Sequence, residues 1–408
     1  MKTQPDQSLR MRSPILWSSA WAVAAIYGAF TLSWVVYQVH LGWILNQFGF
    51  SDQLAPLLLL CEALLAIALE PLAGFISDQS EKRYGSRHPM ISVGVCLASV
   101  LMIAIATLAG SVDFNGFLQH GLMALLVLWA IAMSLFRSPV LAQLRQFAAP
   151  QHLPLVTGLI TLAGALASAT SPLAEAFIFG LGTFKAGVAV AILLLAAMMM
   201  LWSSNPTNLN VPAAHGAPSN ALGLMPKLAT VAGLGFATTL LFQLVNNTFP
   251  RLVFNRLPGL SASLPLGVLL LTMAIVAIPG SRLALRWGNR RTIWLGCGAI
   301  AAGLGLLVSV SNIPMAFGTA ILLGAAFGIV ANAMLAIVLS LASVQTAGLI
   351  VGCAFSGSSA AISAFGLWGA ELTRPGFTIL GVGFTALAIA AALTLVATTP
   401  SNHRLGSN

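Results

Sequence analysis

The chain has 408 residues, of which 58% are hydrophobic and only 7% charged. Soluble domains carry about 25% charged residues, so a soluble fold is excluded and lipid must cover much of this surface. The net charge of +9 comes from basic residues in short clusters between apolar runs, a pattern that orients a membrane protein and does not indicate a nucleic-acid partner.

A membrane-spanning helix needs about 20 mostly apolar residues. The polar N-terminus, MKTQPDQSLRMRSP, is followed by an apolar run at 15–46 that is too long for a signal-peptide core, so no cleaved signal is expected. The second run, 54–77, contains Glu62 and Glu70 and ends in a charged turn, Asp78 to His88. Runs at 90–110, 120–147, 153–180 and 185–203 complete the first half; the fourth carries Arg137 and Arg145, the fifth Glu175. Residues 203–223, SSNPTNLNVPAAHGAPSNALG, are rich in Pro, Asn, Ser and Gly and read as a flexible linker at the chain's midpoint. Runs at 225–249, 262–283, 292–310, 314–342, 346–371 and 376–399 make up the second half. Cys61, Cys96, Cys297 and Cys353 lie within apolar runs as packing residues and say nothing of redox compartment.

The fold class expected is therefore an all-α polytopic membrane protein of twelve spanning helices. Its parts are a tail (1–14), a six-helix bundle (15–203), a linker (204–224), a second six-helix bundle (225–399) and a tail (400–408). Twelve spans place both termini on one side. The 18 Lys and Arg then split 14 to 4, with only Lys185, Arg251, Arg256 and Arg374 on the poor side. The positive-inside rule makes the rich side cytoplasmic, in what reads as a bacterial inner membrane. The halves also echo each other. RYGSRH (83–88) and RWGNRR (286–291) share one pattern just after the second helix of each half, as expected of duplicated six-helix units.

The charged residues at membrane depth admit two readings each. Asp78 and its basic turn either hold one face of the protein shut or form a solvated turn that sets topology. As a lock, Asp78 would pair with Arg145 and with amides at the N-terminus of a neighbouring helix. Glu70 and Arg137 lie at similar depth in helices 2 and 4. An isolated charge there costs about 3 kcal/mol, so they form either a permanent structural pair or a pair that separates while Glu70 exchanges a proton. Glu62 and Glu175, in the outer halves of helices 2 and 5, are further candidate proton sites or locally bonded neutral carboxyls. No metal-ligand set, nucleophile–base pair or phosphate loop is present, so neither an enzyme nor a bound metal or cofactor is expected.

These motifs carry a resemblance. The major facilitator superfamily has G-x-x-x-D-(R/K)-x-G-R-(R/K) between helices 2 and 3, repeated more loosely between helices 8 and 9. Here Gly74 and Asp78 keep that spacing, followed by Arg83, Gly85 and Arg87; the second copy has Arg286, Gly288 and Arg290, with Leu285 where the acid would stand. The stretch Glu70-Pro71-Leu-Ala-Gly74-Phe-Ile-Ser-Asp78, then Arg83-Tyr-Gly85-Ser-Arg87-His-Pro89, resembles glycoside–pentoside–hexuronide cation symporters and sucrose-type proton symporters. FRSPVLAQL (136–144) is similar to the helix 4 segment of the sucrose-type proteins. Those relatives usually carry an acid on helix 4; this chain has none between Gly121 and Phe147, which favours a proton over sodium.

The resemblance implies the two-bundle major facilitator fold, gating by the two basic turns, and a central cavity lined by helices 1, 4, 7 and 10. Substrate-binding candidates on those helices are Trp34, Tyr37 and Gln38, Trp129, the amides Gln243, Asn246 and Asn247, and Asn332, with His40 at the rim. Amides are costly in hydrocarbon and suggest a wet surface; with aromatic faces they suit an uncharged polyhydroxylated ligand. Trp34 and Tyr37 would otherwise be interfacial anchors or core fillers. The expected function is proton-coupled symport of a neutral sugar or similar small polar solute by a monomer in the lipid bilayer. The alternatives are export or uniport of an amphipathic compound, and a non-transporting pigment-delivery or assembly factor, since such relatives resemble the FRSP segment too.

Overall fold

Hydrocarbon offers no partners to backbone N–H and C=O groups, so runs this apolar must satisfy them within helices. The computed structural model describes residues 15–110, 116–204 and 221–372, with 383, 386–391 and 393–394. Among these residues eleven helices are long and apolar enough to cross a membrane. They are α1 (Trp17–Gln47), α2 (Leu54–Tyr84), α3 (His88–Ala109), α4 (Gly116–Ala142), α5 (Leu153–Gly180), α6 (Thr183–Ser203), α7 (Ala221–Arg256), α8 (Ser263–Trp287), α9 (Asn289–Ser309), α10 (Ile313–Ser340) and α11 (Ala347–Leu372). A single turn, Leu144–Phe147, extends α4, and Pro150–His152 form a 3₁₀ turn before α5. The described part of the twelfth predicted span is helical at 383, 386–391 and 393–394. The rest of that span, both tails, Arg374 and residues 205–220 of the predicted linker lie outside the described residues.

Two helices run further than hydropathy suggests. The charged segment after residue 77 is not a turn: α2 continues through Asp78, Glu81 and Arg83 to Tyr84. Gln, Glu, Lys and Arg are good helix formers, and the helix stops only at Gly85, whose φ of 67° suits a residue without Cβ. Likewise α7 passes its predicted end at 249, crosses Pro250 and reaches Arg256. In α5, Ala174 leaves helical geometry (φ −128°, ψ 15°) two residues after Pro172, which kinks the helix.

The packing repeats between halves. In the first half α1 packs on α5, α2 on α4, and α3 on α4; in the second α7 packs on α11, α8 on α10, and α9 on α10. The halves meet through α2 against α11 and α5 against α8. Small residues permit that approach. A Cβ on Gly352 would collide with the Glu70 carbonyl oxygen, and one on Gly158 would stand 3.0 Å from that of Ala277. Large apolar side chains such as Leu72, Phe75, Val93, Val100 and Ile275 are exposed on the outer faces, where lipid covers them.

Candidate functional site

A cavity of about 280 Å³ lies between the two halves, walled by α1, α5, α7, α8, α10 and α11. Four aromatic rings face it, Tyr27, Phe242, Phe327 and Phe355, with Met273, Met334 and aliphatic side chains between them. Its polar groups are hydroxyls: Tyr27, Thr31, Thr161, Ser168, Thr238, Thr239 and Ser358. Among the described residues no Asp, Glu, Lys, Arg or His lines it. Several of the hydroxyls already donate to their own helix: Thr31 to Tyr27 O (2.9 Å), Thr161 to Thr157 O (3.2 Å), Thr238 to Leu234 O (2.7 Å) and Ser358 to Ala354 O (3.2 Å). Their remaining capacity toward a ligand is as acceptors.

The predicted substrate residues do not line this cavity, and α4 contributes nothing to it. Trp129 is 1% exposed and packs on Trp34 (ring centroids 5.0 Å) and Tyr37 (4.5 Å), so this aromatic trio fills the first bundle's core. Gln38 is exposed on α1. Gln243, Asn246 and Asn247 are half-buried on α7, and the Asn247 amide donates to Gln243 O at 2.8 Å, a bond within the helix. Asn332 is fully buried where α10 meets α5, accepting from the Thr157 hydroxyl at 2.5 Å across the two halves. His40 is buried, with Nδ1 2.9 Å from Val36 O and its ring stacked on Phe179. The residues that do form the wall carried no separate signal: single Thr, Ser and Phe in apolar helices read as ordinary packing.

The ion pair between Glu70 and Arg137 is present. Glu70, 1% exposed, receives the Arg137 guanidinium at 2.7 Å. That guanidinium stacks 4.2 Å from the centroid of the Phe355 ring and 5.6 Å from that of Phe30. Phe355 belongs to the cavity wall, so the cavity and the ion pair share that ring. Ser138 donates to the Glu70 carbonyl at 3.3 Å. Glu62 stands apart: it is buried and accepts from the Tyr37 hydroxyl at 2.5 Å. Glu175 is exposed near the kinked end of α5 and joins neither carboxylate.

At the end of α2 the charged groups converge across the halves. Asp78 accepts from the backbone amides of Gly348 (2.9 Å) and Leu349 (2.8 Å) in the first turn of α11. Free amides and the positive end of a helix dipole both favour a carboxylate there. The partner cation is Arg87, 2.7 Å from Asp78, and not Arg145 as expected. The left-handed Gly85 turns the chain back after α2 and so brings Arg87 beside Asp78. Arg87 is 1% exposed and also donates to Val344 O at 2.5 Å. Arg145 instead donates to Ala342 O at 3.1 Å, and Gln146 donates to Glu81 at 2.6 Å. Gly74 lies against Gly348, while Arg83 is exposed. In the second copy Arg286, Gly288 and Arg290 are all exposed.

The family model for the Major Facilitator Superfamily matches residues 20–367. Similar solved structures include the human organic anion transporter MFSD10 (TETRAN), at 14% identity and TM-score 0.66, covering 94% of this chain and 97% of that one. The proton:xylose symporter XylE is 12% identical with TM-score 0.69, covering 95% of each chain. A bacterial homologue of the iron transporter ferroportin, in its outward-facing state, is 15% identical with TM-score 0.70, covering 93% of this chain and 98% of that one. At such identities these structures share the fold alone. No curated protein matches the sequence.

Proposed function

The chain belongs to the major facilitator superfamily, and from that premise we propose that this multi-pass membrane protein is a proton-coupled secondary transporter of a small uncharged solute. One observation carries the reading: an uncharged cavity between the halves shares the Phe355 ring with a carboxylate–guanidinium pair whose carboxylate is buried. A charged cargo would find no counter-charge in that wall, and burying an unpaired charge is costly. Glu70 paired with Arg137 holds its charge; when the two separate, Glu70 takes up a proton.

The wall also bears on the cargo. With most hydroxyl protons directed at helix carbonyls, it offers aromatic faces and acceptors. It suits a mainly apolar solute with a few donors, closer to the amphipathic alternative than to a hexose. The aromatic rings of Tyr27, Phe242 and Phe355 in the wall keep a neutral sugar as the second reading, in keeping with the symporter-like motif from Glu70 to Pro89.

The two six-helix bundles alternate access by rocking about the cavity. Asp78, Arg87 and the α11 amides latch the end that the positive-inside rule makes cytoplasmic, in a bacterial inner membrane with both termini inside. The test is solute-dependent proton movement in proteoliposomes, read with an internal pH dye against panels of neutral amphiphiles, sugars and charged compounds. Alkalinisation or acidification tied to a neutral solute is expected. Proton flux with charged solutes only, or with none, would overturn the proposal.

A further inference from the structure

The basic turn between α8 and α9 has lost the role that its counterpart keeps. After α2, the buried Arg87 is bonded to Asp78, and Glu81 stands beside it. After α8, Arg282, Arg286, Arg290 and Arg291 are all exposed, and none makes an ion pair among the described residues. Leu285 occupies the acid's place. From Pro226 onward the sequence contains one acidic residue, Glu371, at the far end of α11, about 35 Å from that helix's first turn. The second half therefore has no carboxylate of its own to meet these four cations.

Local geometry increases the demand for an anion. Arg290 and Arg291 sit in the first turn of α9, which contains no acid and has no side-chain cap. Cations there oppose the helix dipole, and the free amides of that turn also seek an acceptor. Arg282 and Arg286, four residues apart, share a face of α8. Two exposed tryptophans frame the cluster, Trp287 at 50% and Trp294 at 44% exposure. Exposed tryptophan at a helix end marks headgroup depth, and the exposed Leu295, one turn beyond Arg291 in α9, continues the surface toward the hydrocarbon.

We propose that the α8–α9 turn is a binding site for the headgroup of an anionic phospholipid. The phosphodiester accepts paired N–H groups from the guanidinium forks and from the first-turn amides of α9, while the acyl chains lie along Trp294 and Leu295. A soluble phosphate would satisfy the arginines but would leave the tryptophan and leucine surface without a partner.

The experiment is native mass spectrometry of the full chain in micelles containing equal phosphatidylglycerol and phosphatidylcholine. Wild type retains phosphatidylglycerol in preference, and retention falls roughly fivefold for each arginine replaced in Arg286→Gln/Arg290→Gln and in the variant with all four changed to Gln. The charge-matched control Lys82→Gln/Lys227→Gln keeps the wild-type preference. Equal retention of the two lipids by wild type, an equal loss in the control, or displacement of the lipid by millimolar inorganic phosphate would each overturn the proposal. If the fourfold variant does not fold, the twofold variant and the phosphate competition on wild type still decide.

Discussion

Gly74 of α2 and Gly348 of α11 meet backbone to backbone. A Cβ on either glycine would collide with the carbonyl oxygen of the other. This approach brings the amides of Gly348 and Leu349 within reach of Asp78. The inter-half latch therefore depends on the absence of two side chains as much as on the presence of a charge.

Gly348→Ala should force α2 and α11 apart at that end, because the nearest obstructing atom is the Gly74 carbonyl oxygen, and the next two belong to Arg87 and Asp78 of the latch itself. Overpacking of this kind costs about 1–3 kcal/mol. Lower thermal stability is expected, together with faster alkylation of single cysteines placed at the latch end of the cavity. Unchanged alkylation would mean that the halves part without this contact.

Asp78→Asn keeps the shape and removes the charge that two amides and Arg87 bind. Hydrogen bonds to charged groups contribute about 1.5–3 kcal/mol, so the latch should loosen by roughly ten- to a hundredfold in the ratio of cysteine accessibility between the two ends. Arg145→Gln should have a smaller effect, since among the described residues Arg145 reaches the Ala342 carbonyl and not Asp78. Equal effects of the two substitutions would restore Arg145 as a partner of Asp78.

Glu70→Gln is expected to abolish gradient-driven uptake while exchange of solute across the membrane persists, because Gln imitates the protonated carboxyl. It also leaves Arg137, whose side chain is 18% exposed, without a counter-ion, at a cost below the roughly 3–5 kcal/mol of breaking a fully buried pair. Glu70→Gln with Arg137→Gln should regain thermal stability and still show exchange only. A double variant that regains both stability and gradient-driven uptake would make the pair structural.

Tyr37→Phe removes the hydrogen-bond donor to Glu62 and should lower stability by about 1–3 kcal/mol, the range for a buried acceptor left unpaired. Glu62→Gln keeps an acceptor for the Tyr37 hydroxyl, so its melting temperature should fall less and gradient-driven uptake should continue. Loss of that uptake in Glu62→Gln would instead add Glu62 to Glu70 as a second proton site.

Much of this was legible in one dimension because the bilayer imposes it. Hydropathy over about 20 residues is a property of a local segment, and lipid rewards it wherever the segment lies in the sequence; twelve spans are expected from that alone, and eleven stand complete enough among the described residues to cross a membrane. The carboxylate of Glu70 and the guanidinium of Arg137 were visible as a pair because isolated charges at that depth are rare and costly. Cavity membership is another matter. It depends on which face of each helix turns toward the other half, and that is set by how α2 packs on α11 and α5 on α8. In a soluble protein the contrast between an apolar stripe and a polar one marks the inward face of a helix; here both sides are apolar and the contrast is gone. So Trp34, Tyr37 and Trp129, conspicuous in sequence, close on one another, while Tyr27, Thr31 and Phe355, inconspicuous, face the cavity. Asp78 shows the same division on a smaller scale. Its motif announced a carboxylate in search of a cation and free amides, but only the left-handed turn at Gly85 decided that the cation is Arg87.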